Sequence, residues 1–289
     1  ATHSWPGVSE SRWPGQQPSD RPGGLSRIFR AQFGSLMYDL TVEYVLGPVT
    51  AHLAVIEFQQ RGLPHAHILL IFQSYARLRN ANHVDSIVSA EIPEVSPGLD
   101  EERTQQILRL QSCVCQHMLH NDCSDPTKKC PCHNRTGVCT TNFPHALSNE
   151  TVWDDKEIYP RYRRRPFVGP AVVFKGRTLD NRWVAAYNPW LLCKYDAHIN
   201  VEVCVGQHSV KYLYKYVMKG INRGDRSMAQ LSSDANDEVK NFQDMRSIGA
   251  SEAVWRLLKF DLHSSAPSVV RLAVPLHNAT AVSFQDGPA

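Results

Sequence analysis

The sequence has no apolar run near the about 20 residues that a membrane helix requires. Its first thirty residues, "ATHSWPGVSESRWPGQQPSDRPGGLSRIFR", also lack the apolar middle of a secretory signal. An excess of charge of one sign is missing too: a formal net charge of +3 and a pI near 8.4 leave the class of partner undecided. There is no internal repeat and no low-complexity tract, which excludes solenoids and disordered tails. These absences point to a soluble intracellular chain, in which the sequons at Asn134, Asn149 and Asn278 carry no meaning. The opening segment is rich in Pro, Gly, Ser and Trp and begins without Met, so residues 1–25 read as an extended loop leading into a domain already under way.

What is present is enough apolar residue, 42% of 289, for a full-sized core. The spacing of Leu25, Ile28, Phe29, Phe33, Leu36 and Met37 predicts a helix within 25–44. Residues 51–60 and 65–72 are β-rich and joined by "RGLP", a hairpin signal. Residues 100–120 read as a helix, "AVVFKG" and "RWVAAYNPWLL" as short strands and turns, and "AHINVEVCV" (197–205) as a strand. Helices follow over 209–219, stopped by Gly220, and over 237–258. Strands and helices mixed without βαβ alternation predict an α+β fold: a central antiparallel sheet flanked by helices. The expected division is a core of 26–99 and 146–289, interrupted by a helix and Cys/His-rich insert over 100–145.

Within "IEFQQRGLPHAHILLIF" (56–72), His65 and His67 stand two apart on a strand, so both imidazoles point to one side and Ala66 to the other. That is a bidentate edge for a metal. If the turn holds an odd number of residues, Gln59 falls opposite His65 and Glu57 opposite His67, and either oxygen can complete the site. The alternative is a pair of strand histidines that only hydrogen-bond.

In "SVKYLYKYVMKG" (209–220) and the residue after it, about 100° per residue gathers Val210, Leu213, Tyr214, Val217, Met218 and Ile221 on one arc and Tyr212, Lys215, Tyr216 and Lys219 on the other. Tyrosines at i and i+4 project together, and the two lysines attract phosphate and favour phenolate. The competing reading is an aromatic stripe on a strand or beneath a second helix.

Six of the eight cysteines crowd into 113–139, which in an intracellular chain favours metal over disulfides. His120, Cys123, Cys132 and Cys139 offer one imidazole and three thiolates, a set suited to tetrahedral Zn²⁺, with Cys130 as a rival to Cys132 and unliganded thiols as the alternative. Cys193 and Cys204, isolated in strand-like segments, read as core residues. Arg161, Arg163, Arg164 and Arg165 in "RYRRR" are candidates to follow a DNA backbone, or form a solvated basic loop.

Taken in order, "EFQQRGLPHAHILLIF", "HMLHNDC" leading to "CPCHNRTGVCTTNFPHAL", "YPRYRRR", "LDNRWVAAYNPWLLCKYDAHINVEVC", "VKYLYKYVMKG" and "DEVKNFQDMRSIGASEAVWRLLKF" resemble the Rep nuclease domain of Helitron rolling-circle transposases, a branch of the HUH endonucleases. The resemblance spans roughly residues 20–280. It implies that His65 and His67 bind a divalent cation, that Tyr212 and Tyr216 are nucleophiles while Tyr214 is not, and that Cys132 rather than Cys130 completes the zinc set. The implied activity is cleavage and transfer of single-stranded DNA through a 5′-phosphotyrosine. Mixed imidazole and oxygen ligation accommodates Mn²⁺ more comfortably than Mg²⁺, though abundance favours Mg²⁺. The family further implies a nuclear location, an earlier core strand ahead of the histidines, and a PIF1-type helicase after the nuclease. The second functional class is a transposon-derived nucleic-acid-binding module without turnover, and the third a zinc-centred protein-interaction domain.

Overall fold

The computed structural model describes residues 5–10, 13–17, 20–58, 63–120, 123, 130, 132–134, 136–154, 159–167, 172–174, 177–205 and 249–268. In chain order the elements are α1 (Pro6–Glu10), α2 (Pro22–Thr41), β1 (Val49–Phe58), β2 (Pro64–Phe72), α3 (Ala81–Asp85), α4 (Glu101–Cys113), β3 (Val172–Phe174), β4 (Arg177–Leu179), α5 (Pro189–Tyr195), α6 (Ala250–Leu257) and β5 (His263–Ala266). The content is α+β, as expected.

The centre is a three-stranded antiparallel sheet in the order β2-β1-β5. Alternation along β1 and β2 turns Ile56, Phe58, Ala66, Ile68 and Leu70 to one face, where α2 covers them with Leu25, Phe29 and Leu40. Pro22 starts α2 at a position where its missing N–H forfeits no hydrogen bond. Trp255 of α6 is completely buried there, edge-on to Phe29, Phe58 and Phe260. Ser26 of α2 is equally buried and donates to the Ser251 carbonyl at 3.2 Å, tying the two helices.

Several local expectations change. The opening is not wholly extended: α1 forms, Trp5 and Val8 enter the core, and the Trp5 indole donates to the Tyr195 carbonyl at 2.8 Å. Apolar contact outweighs the turn-forming composition there. Where "NPWLL" suggested turns, α5 forms, because Asn188 caps the Leu191 amide and Pro189 occupies the first turn. Residues 197–205 are extended and alternate strictly in burial, but no ladder holds them among the described residues. Ala197, Ile199, Val201 and Val203 face the core, and Val201 donates instead to the Ala186 carbonyl at 3.0 Å. Cys204, expected in the core, falls on the exposed phase of that alternation. Strand β5 was not anticipated, since "HSSA" carries no β-branched or aromatic signal.

Candidate metal centres

On the face of the sheet away from α2, cross-strand pairs align Glu57 with His65 and Val55 with His67. The expected register, Gln59 opposite His65 and Glu57 opposite His67, is therefore one two-residue step out. Phe58 pairs with Pro64, so the turn still has an odd number of residues and the facing side is the one expected. Glu57 reaches His67 diagonally, Oε2 to Nε2 at 3.4 Å. Gln59 lies outside the described residues.

The two rings have centroids 4.8 Å apart and planes inclined at 62°. With metal–nitrogen bonds of about 2.1 Å, two imidazoles roughly 95° apart around one ion put their ring centres about 4.7 Å apart. The pair is thus already spaced for a shared ion. Burial first, then repulsion from His67 and His198, holds His65 below the usual histidine value, against the opposing pull of Glu57. A neutral imidazole is the ligand form, and imidazoles with one carboxylate fit a divalent cation of intermediate hardness.

His65 and His67 line an open cavity of about 1050 Å³ along the β2 edge. Its other wall includes His198, Asn200, Glu202 and Cys204, the outward phase of the 197–205 segment. Low-dielectric walls desolvate these groups although they touch solvent: burial lowers His198 and raises Glu202.

The second centre is the Cys/His cluster. The ligand atoms of His120, Cys123, Cys132 and Cys139 all lie within 4.8 Å of one another, a group that can hold a metal such as zinc. Cys130 is not in it. The loop between Cys132 and Cys139 is closed by Asn134, whose Oδ1 accepts from the Thr136 and Val138 amides, and by Gly137 at φ 79°. Thr140 then donates its amide to the Cys132 carbonyl at 2.8 Å, which brings the two thiols together. The cluster rests on buried Trp183, and the His120 amide donates to the Trp183 carbonyl at 2.8 Å.

Burial pushes the Cys123 thiol up to about 12. Burial also raises Cys139, but the Thr141 hydroxyl and the Phe143 and Thr141 amides outweigh it and bring the group down to about 7. Cys139 is thus the most acidic thiol of the set, and burial lowers His120, favouring its neutral form. A cation draws the remaining protons off the thiols.

The basic run behaves differently from its sequence reading. Extended chain alternates Tyr162 and Arg164 inward. Arg164 is buried and its Nη1 donates to the carbonyls of Ala90, Asn181 and Val184 at 3.2, 2.7 and 2.6 Å. It holds backbone together and is not available to a phosphate. Arg165 grips Glu91 through both carboxylate oxygens, and Arg163 spans Asp85 and Glu91. Arg161 is exposed.

Tyr212, Lys215, Tyr216 and Lys219 lie outside the described residues. One site residue that sequence reasoning missed is His263: β5 sets it opposite Val55, on the face that carries His65 and His67, with its Nε2 buried and without a hydrogen-bond partner. No periodicity signalled it. Among the described residues no helix is long and apolar enough to cross a membrane. No curated protein matches the chain. Residues 1–70, which carry α1, α2, β1 and both strand histidines, match the family model described as the Helitron helicase-like domain at N-terminus, the family that the sequence resembles.

Proposed function

We propose that the chain is the single-strand DNA endonuclease and transferase portion of a Helitron-like rolling-circle transposase. The observation that carries this reading is the pair of imidazoles, spaced for one ion beside Glu57, inside the segment that matches the family model. In this reading 26–99 and 146–289 form the nuclease core, 100–145 is a zinc-bearing insertion, and single-stranded DNA is the substrate.

His65, His67 and Glu57 would hold Mn²⁺ or Mg²⁺, whose positive charge would neutralise and polarise a non-bridging oxygen of the scissile phosphate. Tyr212 or Tyr216, near pKa ~10 as a free phenol, attacks phosphorus as the phenolate, with Lys215 and Lys219 favouring that form. The tyrosine oxygen–phosphorus bond forms as the bond to the 3′ oxygen breaks. The leaving alkoxide takes a proton and becomes a 3′-OH, while the 5′ phosphate stays on the tyrosine. Bond energy is conserved, so a later 3′-OH reverses the step. A second tyrosine allows a second cleavage while the first end is held. Arg161, which is exposed, is the member of the basic run that follows the DNA backbone in this reading. A PIF1-type helicase C-terminal to the nuclease completes the proposed transposase.

The test is end-labelled single-stranded DNA with Mn²⁺, resolved under denaturing conditions. The expected product is a protein–DNA adduct that survives denaturation and is abolished by Tyr212→Phe with Tyr216→Phe. DNA binding without any adduct overturns the enzymatic reading and leaves the binding-module reading in its place.

A further inference from the structure

The outward phase of residues 197–205 places a third imidazole against the cavity that His65 and His67 line. His198 is held in an unusually defined way. Its Nδ1 lies 2.6 Å from the His117 carbonyl oxygen. A carbonyl can only accept, so Nδ1 carries the proton, and Nε2 keeps its lone pair. Histidines that ligate metals are oriented in this manner, with the other ring N–H given to a carbonyl or carboxylate.

The anchor is itself fixed. His117 ends a π-helical turn, Val114–Met118, and its Nε2 contacts Asp196 Oδ1 at 2.8 Å. Asp196 caps α5 in the left-handed conformation, φ 43°, and this turn delivers His198 two residues later. One residue, His117, therefore clamps the turn on both sides. That is more constraint than a surface histidine needs, and it leaves the ring exposed with one nitrogen committed.

We propose that His198 supplies a third imidazole to the divalent cation held by His65 and His67, its Nε2 turned to the ion by the Nδ1–H bond to the His117 carbonyl. This rests on the cation site of the proposed function. His263 is the rival third imidazole, but its Nε2 is buried and it does not line the cavity.

The experiment uses the 289-residue chain with its cysteine cluster first loaded with Zn²⁺, then Mn²⁺ as the probe. Calorimetry reads affinity, and the electron-spin-echo modulation of bound Mn²⁺ counts directly coordinated imidazole nitrogens. Three coupled nitrogens are expected in the wild type and two in His198→Asn. The asparagine amide can still donate to the His117 carbonyl, so the turn is preserved while the ligand is lost. Binding weakens about tenfold or more in His198→Asn, comparable to the losses seen when a ligand or its support is removed. Two nitrogens in the wild type, or wild-type affinity in His198→Asn, overturns the proposal, as does loss of the third nitrogen in His263→Ala instead. If His65→Ala leaves Mn²⁺ binding unchanged, the underlying cation site fails, and the third ligand with it.

Discussion

Arg164→Met separates a structural guanidinium from a phosphate-binding one. In the structure the two hydrogens of its Nη1 are shared among the Ala90, Asn181 and Val184 carbonyls, at a residue 4% exposed. Hydrogen bonds from a charged donor contribute about 1.5–3 kcal/mol each. Burial opposes them: it pulls the Arg164 pKa from 12.5 to about 10, and at 1.36 kcal/mol per unit this is a penalty of roughly 3 kcal/mol. Methionine relieves the penalty but leaves three acceptors in the interior, so a net loss of about 3 kcal/mol is expected. Denaturant unfolding of the zinc-loaded chain, with single-stranded DNA affinity by anisotropy at matched salt, reads both quantities. Arg161→Ala, exposed, should move stability by less than about 0.5 kcal/mol and lower the salt slope of DNA binding by about one. If Arg164→Met keeps wild-type stability and instead loses DNA affinity, its placement between those carbonyls is wrong.

Metal analysis of the purified chain should find one zinc that Cys132→Ser abolishes and Cys130→Ser retains; the converse would assign Cys130 in place of Cys132. Because Glu57 and not Gln59 pairs with His65, Glu57→Ala should weaken Mn²⁺ binding by about tenfold, with Gln59→Ala close to wild type by calorimetry; the reverse ranking would restore the register first expected. Burial, with Arg164 and His120 nearby, brings His145 from 6.5 down to about 4. The unfolded chain then binds the proton first, so this contribution to stability is present above about 6.5, declines as pH falls, and is gone below about 4. His145→Phe should flatten the unfolding midpoint between those limits, and an unchanged slope would remove His145 as the cause.

The helical spacing of α2 and the alternation of β1 and β2 were legible because burial on one face imposes a period on the residues themselves. The His-x-His face was legible for the same reason. Register was not, since a shift by two residues keeps every side chain on its expected face and no local rule distinguishes Glu57 from Gln59 opposite His65. The Cys/His cluster was readable from chemistry and order, but the choice between Cys130 and Cys132 depends on the Asn134 and Gly137 turn between Cys132 and Cys139. "RYRRR" misled because charge was taken as exposure. In extended chain every second residue turns inward, and Arg164 finds carbonyls there as Tyr162 finds the Val203 amide.

The Cys/His cluster and the histidine-lined cavity share one scaffold, residues 181–198. Its first part holds the cysteine cluster and its surroundings: the Trp183 carbonyl accepts from His120, Arg182 from the His145 amide, and Asn181 and Val184 from Arg164. Ala185 then donates to the Met118 carbonyl at 2.7 Å, and Tyr187 pairs reciprocally with Ser89. From there Asn188 and Pro189 start α5, whose left-handed cap returns the chain to His117 and presents His198 to the cavity. His117 and His120 sit three residues apart on one segment, one orienting the proposed third imidazole and the other inside the cysteine cluster. A metal ion held at His120 would restrain the chain three residues from His117. On the proposed reading, metal at the Cys/His cluster would brace the cavity wall that carries His198.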